Sequence, residues 1–398
     1  VHLARLRLRD FRNYARLDVD FSPGVHLLLG RNAQGKTNLL EAVYLLATLR
    51  SFRGVGSAPM VRQGRKGYFV GATAVGPSPH AIALYWSATE RRLTLDGQPV
   101  RRMTDYWGVL RAVVFCTEDL QLVKGPSSRR RRFLDLLLAQ THSTYLALLQ
   151  TYLQAVRSRN ALLKQRIPDD QALDAFTHQL VRDGATLMQL RHQIVPVLAP
   201  LIRSAYGRVA RDAEDLRMEY LPSVKGDLAV ALAQNRDRDR AQRTTLLGPH
   251  RDDLGFWLDG RAAGPYASEG QKRTLAIALK MAQAEYLTNL HGTPPILLID
   301  DVMGELDLAR RSGFLPLLDR SRESGGQVFM TCTEEAWPRE LGRRLLRWRV
   351  DNGSLAPCAE SADDGAASTD ERAGADQASD RSTRTPSGGN VSSAENGC

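Results

Sequence analysis

The sequence predicts an α/β fold divided by a helical insert, and three patterns carry that prediction. Short apolar runs with strand character fill residues 2–115 and return in 244–355. Near the N-terminus a glycine-rich turn joins one such run to a stretch with helical spacing. Between the two α/β parts, apolar residues recur at steps of three and four, as on one face of a helix.

The opening reads as strands: His2 to Leu8 and Tyr14 to Phe21 alternate, and Val25 to Leu29 is a short apolar run. Asn38 to Leu49 has helical spacing. Tyr68 to Val75 and Ala81 to Trp86 are two further strands, and Asp96-Gly97 breaks Arg92 to Val100 into a hairpin. Ala112 to Phe115 is a short buried strand. Leu134, Leu137, Leu138, Thr141, Tyr145, Leu148, Leu149, Tyr152 and Val156 then predict one long amphipathic helix. Ile167-Pro168-Asp169-Asp170 ends it, and a second helix runs through Leu173, Leu180, Leu187, Ile194 and Val197. The pair predicts a short antiparallel arm. Phe256 to Gly260 suggests a hairpin, Gln271 to Leu290 a helix, and Ile296 to Ile299 and Val328 to Met330 buried strands. The expected organisation is an N-terminal lobe over 1–128, an arm over 129–240, a C-terminal lobe over 241–355 and a tail over 356–398. The tail is rich in Ser, Ala, Gly and Asp and is expected to be disordered, because it lacks apolar surface to offset its ordering entropy.

The chain of 398 residues has a formal charge of +10. The tail holds eight acidic and three basic side chains, a net −5, so the preceding 355 residues carry +15. A body that basic suits a polyanion such as nucleic acid, and it equally suits a solvated Arg-rich surface. Four cysteines without metal-ligand spacing point to a reducing cytoplasm. No apolar run approaches the ~18 residues of a membrane span, and no signal-peptide core opens the chain.

Gly30-Arg31-Asn32-Ala33-Gln34-Gly35-Lys36-Thr37 fits G-x-x-x-x-G-K-T between a strand and a helix. Such a loop turns backbone N–H groups onto phosphates, sends Lys36 to the β- and γ-phosphates of ATP, and offers the Thr37 hydroxyl to Mg²⁺. The run Ile296 to Asp301 ends a buried strand in two carboxylates, at the sheet edge where ligands of open α/β sheets bind. Asp300 is expected to orient Mg²⁺ and Asp301 to polarise the attacking water. Ser268-Glu269-Gly270-Gln271 opens a helix and could hold an anion or simply cap it. Gly304 to Asp307 follows as a turn into a helix. His250-Arg251-Asp252-Asp253 reads as an ion-pair cluster and not as a metal site. Arg129 to Arg132 is open between a DNA contact and the solvated start of a helix, while Arg50, Arg53, Arg62, Arg65 and Lys66 add positive charge nearby.

Phosphate loop, S-x-G-Q and strand-Asp-Asp in this order resemble the ABC-type ATPases of the SMC and DNA-repair kind. Phe11 to Tyr14, the loop running into Asn38 to Ala42, Glu118 to Leu120, Val123 to Gly125, Arg130 to Asp135 and Gly248 to Asp253 extend the resemblance to the RecF family, over roughly residues 1–355. It implies a P-loop head with an inserted helical-hairpin arm and a slow, DNA-linked ATPase. It further implies an ATP-gated homodimer on single-stranded or gapped DNA, working with RecO- and RecR-like partners in recombinase loading, replication, repair and the SOS response. Ser268, Gly270 and Gln271 of one subunit would then meet the γ-phosphate held by Lys36 of the other. Glu118 falls where such proteins bind metal and water. One departure is visible: the His that senses the γ-phosphate would fall at Cys332. A transporter-type ATPase subunit is the competing reading. A small-molecule kinase has no need of the Ser268 surface.

Overall fold

A computed structural model describes residues 1–76, 78–210, 214–333 and 345–358, all within one compact unit, Val1–Cys358. Of the tail expected to be disordered, residues 359–398 lie outside the described residues.

The N-terminal part holds β1 (His2–Phe11), β2 (Tyr14–Asp20), β3 (Gly24–Leu29), α1 (Lys36–Thr48), β4 (Gly67–Val75), β5 (His80–Ser87), β6 (Arg91–Leu95), β7 (Gln98–Pro99) and β8 (Ala112–Cys116). The middle holds α2 (Gln121–Lys124), α3 (Ser127–Thr141), α4 (Tyr145–Leu163), α5 (Asp170–Val209), β9 (Leu216–Leu221), α6 (Leu228–Gln234) and α7 (Arg236–Gln242). The C-terminal part holds β10 (Asp253–Leu258), β11 (Arg261–Ala262), α8 (Ala263–Tyr266), α9 (Glu269–His291), β12 (Ile296–Asp300), α10 (Leu308–Glu323), β13 (Gln327–Cys332), β14 (Leu345–Asp351) and β15 (Ser354–Pro357).

Among the described residues three sheets form. One is antiparallel in the order β2-β1-β4-β5-β6-β7, and one is small, β11-β10-β9. The third, β15-β14-β3-β13-β12-β8, draws strands from both ends of the sequence and is parallel except for β15. β3, β13, β12 and β8 are buried and mostly apolar on both faces, as a sheet covered on both sides requires. One face packs on α1 and the antiparallel sheet through Leu28, Leu298, Val114 and Phe329. The other packs on α9 and the arm root through Leu27, Leu297, Ile299 and Met330. Splitting the sheet in sequence thus leaves one head in space, with a helical hairpin between its halves.

The single long helix expected over 134–156 is two. α3 ends at Thr141 and α4 starts at Tyr145, with His142 in an extended conformation between them. The apolar spacing runs through the break because both helices face the same core, but the chain turns so that the Tyr145 hydroxyl donates to Asp135 at 2.6 Å. α3 packs on β10 and α9, so this part of the expected arm belongs to the head. α5 is 40 residues long, about 60 Å at 1.5 Å per residue. It runs past Val197, through Pro196 and Pro200, and its far end buries Leu198, Ile202, Ala205, Tyr206 and Val209 against the head. That burial outweighs the N–H groups the prolines remove. The structured chain also passes the expected end at Leu355: β15 pairs with β14 through Pro357, and the Cys358 amide donates to Arg347 at 2.9 Å.

Candidate nucleotide site

β3 delivers the phosphate loop and α1 leaves it. Gly30 and Gly35 lie at φ 155° and 118°, where a side chain is strained. A Cβ on Gly30 would fall 2.3 Å from the Val350 carbonyl, and one on Gly35 2.7 Å from the Asn13 amide. Two hairpins hold the loop. The Asn13 amide donates to Gln34 O at 2.7 Å and the Tyr14 hydroxyl to Gly35 O at 3.1 Å, from β1–β2. From β14–β15, the Asn352 and Gly353 amides donate to the Gln34 side chain and carbonyl at 2.8 and 3.0 Å. The Lys36 ammonium is folded back onto the carbonyls of Gly30 and Arg31, the second at 3.0 Å. Burial lowers its pKa, opposed by the charge of Asp301, so it gains from an anion in the loop.

β13 lies between β3 and β12, and this order builds the rest of the site. The Thr37 hydroxyl donates to Asp300 Oδ1 at 2.8 Å, across 263 residues of sequence. From β13, the Thr331 hydroxyl donates to the same oxygen at 3.0 Å and accepts the Asp301 amide at 3.0 Å. Burial raises the Asp300 pKa against the pull of these two hydroxyls. Asp301 follows with φ 57°, which turns the chain out of the sheet into the pocket it lines. That pocket, about 130 Å³, is formed by residues 31–38 with Arg53, Asp301 and Thr331. Glycines without room for a Cβ, a retracted ammonium, and a hydroxyl and carboxylate within bonding distance fit a phosphate chain and a hard, oxygen-binding cation.

Thr331, Asn13 and Arg53 are site residues that the sequence reading did not assign. Arg53 enters from the loop after α1, where its guanidinium donates to Asn38 Oδ1 at 3.1 Å. Behind it, Glu41 is fully buried and accepts two bonds from Arg12, at 2.7 and 2.8 Å, and one from Ser51. The Arg53 amide donates to the same Ser51 hydroxyl, so the pair fixes the loop that carries Arg53. A neighbouring groove runs from Arg12 and Asn13 past Pro59 and Val61 to Asn352.

Other expected residues are placed less centrally. Cys332 ends β13, buried and close enough to Lys36 and Asp301 for their charges to be felt; burial raises its thiol pKa to about 11. Glu118 is exposed just beyond β8, near enough that its charge raises the Asp300 pKa, but it does not line the phosphate pocket. Ser268 caps α9: its hydroxyl accepts the Gln271 amide at 3.2 Å, and Gln271 Oε1 accepts the Ser268 amide at 2.6 Å. Arg310 lies across this helix start, donating to Thr274 at 2.9 Å, with Nη2 2.8 Å from where a Gly270 Cβ would sit. None of Ser268, Gly270 or Gln271 is among the described residues lining the phosphate pocket.

Of the arginines left open between two readings, Arg130 grips Asp253 at 2.7 and 2.9 Å, Arg131 donates to Asp252 O and Arg132 to Ser51 O; Arg129 is exposed. Three of the four thus tie α3 to the rest of the head. His250 accepts from the Tyr152 hydroxyl at 2.7 Å, and Asp252 is bonded by Tyr220 and by Arg191 at 3.3 Å.

A phosphate loop, a strand-end carboxylate pair and an S-x-G-Q helix on a sheet assembled from both chain ends define an ATP-binding head of the SMC and ABC class. The family model described as RecF/RecN/SMC N terminal domain matches residues 2–352. The DNA replication and repair protein RecF of Symbiobacterium thermophilum is 42% identical over 371 residues, 88% of this chain and 97% of that one. That of Thermosynechococcus vestitus is 40% identical over 382 residues, 90% and 98% of the two chains. The chain belongs to the RecF family. A solved structure of the recombination mediator protein RecF with ATP superposes with a TM-score of 0.82 at 28% identity, over 90% of this chain and 98% of that one. An Smc head from Pyrococcus furiosus shares the fold, at a TM-score of 0.53 and 13% identity over 90% and 96%. Membership sets aside the transporter-subunit reading. No helix among the described residues is long and apolar enough to cross a membrane.

Proposed function

We propose that this protein is a slow, DNA-linked ATPase of replication and recombinational repair, which binds single-stranded or gapped DNA as an ATP-gated dimer. In this reading it supports recombinase loading and the SOS response with RecO- and RecR-like partners. The observation that carries it is the separation of two half-sites on one chain. The pocket around Lys36, Thr37 and Asp301 has no described contribution from Ser268 or Gly270, whose helix start has Arg310 beside it. A second copy can bring that positive helix end to the γ-phosphate.

Lys36 leaves the Gly30 and Arg31 carbonyls for phosphate oxygens. Thr37 and Asp300 are the pair that would hold Mg²⁺, which supplies charge neutralisation on the β- and γ-oxygens when bound. Asp301 orients and deprotonates the attacking water, and Thr331 holds the Asp300 carboxylate and the Asp301 backbone in register. Arg53 reaches the phosphates from the same chain. The groove between Arg12 and Asn352 seats the base. Cys332, buried and protonated at neutral pH, contributes no charge where a histidine could, which favours slow turnover. Hydrolysis removes the phosphate that both subunits share and so weakens the dimer.

DNA binding measured with ATP and with ADP over a range of salt tests this reading. Binding is expected to be stronger with ATP and to fall steeply with salt as counterions are released. No binding to any DNA, or binding indifferent to both nucleotide and salt, overturns it.

A further inference from the structure

The antiparallel sheet buries one face against α1 and the parallel sheet and, among the described residues, leaves the other open. Pairing registers place one row of outward residues across five strands. Arg16 on β2 is opposite Arg9 on β1, Arg9 opposite Phe69 on β4, Phe69 opposite Tyr85 on β5, and Tyr85 opposite Arg92 on β6. At ~4.8 Å between strands the row spans ~19 Å. Arg9, Arg16, Tyr85 and Arg92 are exposed and Phe69 is half-buried. The same face forms a groove of about 830 Å³, also lined by Arg65, Lys66, Asp10 and Asp18; Arg65 lies 3.4 Å from Asp10.

This face offers cations near its β2–β1 end and aromatic rings in the middle, while Arg92 at the far end is paired with Glu90 at 2.6 Å. Arg9 and Arg16 are directly opposed like charges, an unfavourable cross-strand pair; Asp18 is near enough to feel the charge of Arg16 but is itself bonded by Arg5 at 2.6 Å. Lys66, on the same groove, has no carboxylate partner among the described residues, and Arg7 Nε is buried without a hydrogen-bond acceptor among them. Gly71 has no Cβ to stand against Phe69: one there would fall 2.8 Å from Phe69 Cζ, so the ring lies down along the sheet instead of standing off it. Beside it Tyr85 is 37% exposed. Cations at one end and aromatic faces in the middle are the two components of sequence-tolerant single-strand binding: phosphates take the charges, and unpaired bases or sugars take the rings. A duplex presents no base faces to the rings.

We propose that this outer face, from Arg16 and Arg9 across Phe69 to Tyr85, is a track for an unpaired nucleic-acid strand. The proposal rests on the DNA-binding reading above and locates it on a surface distinct from the nucleotide pocket.

The test is full-length protein titrated with fluorescent oligothymidine and with a duplex of equal length, with ATP present, from 50 to about 300 mM salt. Arg9→Ala/Arg16→Ala is expected to bind the single strand at least tenfold more weakly, with a salt slope shallower by about 1.4, the share of two phosphate contacts. Tyr85→Ala is expected to lose roughly tenfold on the single strand and little on the duplex. Lys164→Ala/Arg166→Ala, which removes two exposed charges from the arm tip, should bind as wild type. ATP affinity should be unchanged in all three, and relief of the Arg9–Arg16 repulsion should leave the melting temperature of the first at or above wild type. If wild-type protein binds and the Arg9/Arg16 variant keeps its affinity and slope, the track is elsewhere. Equal losses of Tyr85→Ala on both DNAs overturn the assignment to an unpaired strand. Wild-type protein that binds neither DNA overturns the DNA reading itself.

Discussion

Thr331→Val removes one hydroxyl and nothing else of comparable size. Valine keeps the branched shape and suits the buried strand, since Thr331 is 1% exposed. Two hydrogen bonds disappear: the donation to the Asp300 carboxylate at 3.0 Å and the acceptance of the Asp301 amide at 3.0 Å. A bond to a charged group contributes about 1.5–3 kcal/mol and a neutral one about 1 kcal/mol, and Asp301 is left with an unpaired amide. The total is about 3 kcal/mol. If it appears as lost orientation of the two carboxylates in the transition state, turnover falls on the order of 10²-fold, at 1.36 kcal/mol per decade. ATP affinity should change little, because the lysine, the loop backbone and Thr37 are untouched. Phosphate release at saturating ATP, with ATP affinity from a fluorescent analogue and circular dichroism to confirm the fold, makes the measurement. Thr331→Ser restores donor and acceptor and should recover most of the rate. A folded valine variant that turns over within about threefold of wild type would refute the positioning role of Thr331.

Three further outcomes follow from the same geometry. Asp301→Asn should retain ATP and accumulate as an ATP-bound dimer while hydrolysis slows by roughly 10²–10⁴-fold, as for loss of a general base; if it abolishes nucleotide binding while Asp300→Asn does not, the two carboxylate roles are exchanged. His26 is fully buried, with Ser22 O accepting from Nε2 at 2.7 Å and the Trp348 indole donating to Nδ1 at 3.0 Å, and burial pushes its pKa down to about 4. The unfolded chain binds the proton first as pH falls below about 6.5, so on the order of 2–3 kcal/mol of stability should be lost between there and pH 4; denaturant melts of wild type and His26→Gln check this, and an equal acid loss in both would count against it. Deleting residues 359–398 should leave ATP turnover and melting temperature unchanged, whereas deleting from 356 onward should lower the melting temperature, because it removes the Ala356 and Pro357 pairs with β14; equal melting of the two truncations would contradict this.

The nucleotide site was legible where local chemistry forces its residues into a short string. The phosphate loop needs glycines, a lysine and a threonine within eight positions, and a buried strand ending in Asp300-Asp301 announces a sheet edge. What supports these residues was not legible, because its partners are distant. Thr331 reaches Asp300 only because β13 inserts between β3 and β12. Glu41 meets Arg12 across 29 residues, and Arg130 meets Asp253 across 123, so in a run of four arginines open between a DNA contact and a solvated helix start, three tie the head together. The break at His142 escaped notice because apolar spacing reports which face is buried and not whether the helix is continuous. The prolines in α5 suggest an end that tertiary burial overrides. Arg9 and Arg16 lie seven residues apart, and only the β1–β2 register shows that they confront each other.

The shared site is the central claim, and complementation between two damaged chains tests it most directly. Lys36→Ala destroys the phosphate loop, and Ser268→Arg blocks the start of α9; each protein alone should be inactive. In a mixed dimer, the intact Ser268 surface of the first variant faces the intact loop of the second, so one complete site forms. Mixing should partly restore ATP turnover, in proportion to the concentration of mixed dimer, and wild-type specific activity should rise with protein concentration. If mixing restores nothing and wild-type turnover per subunit stays flat with concentration, ATP is hydrolysed within one chain and Ser268 is only the cap of its own helix.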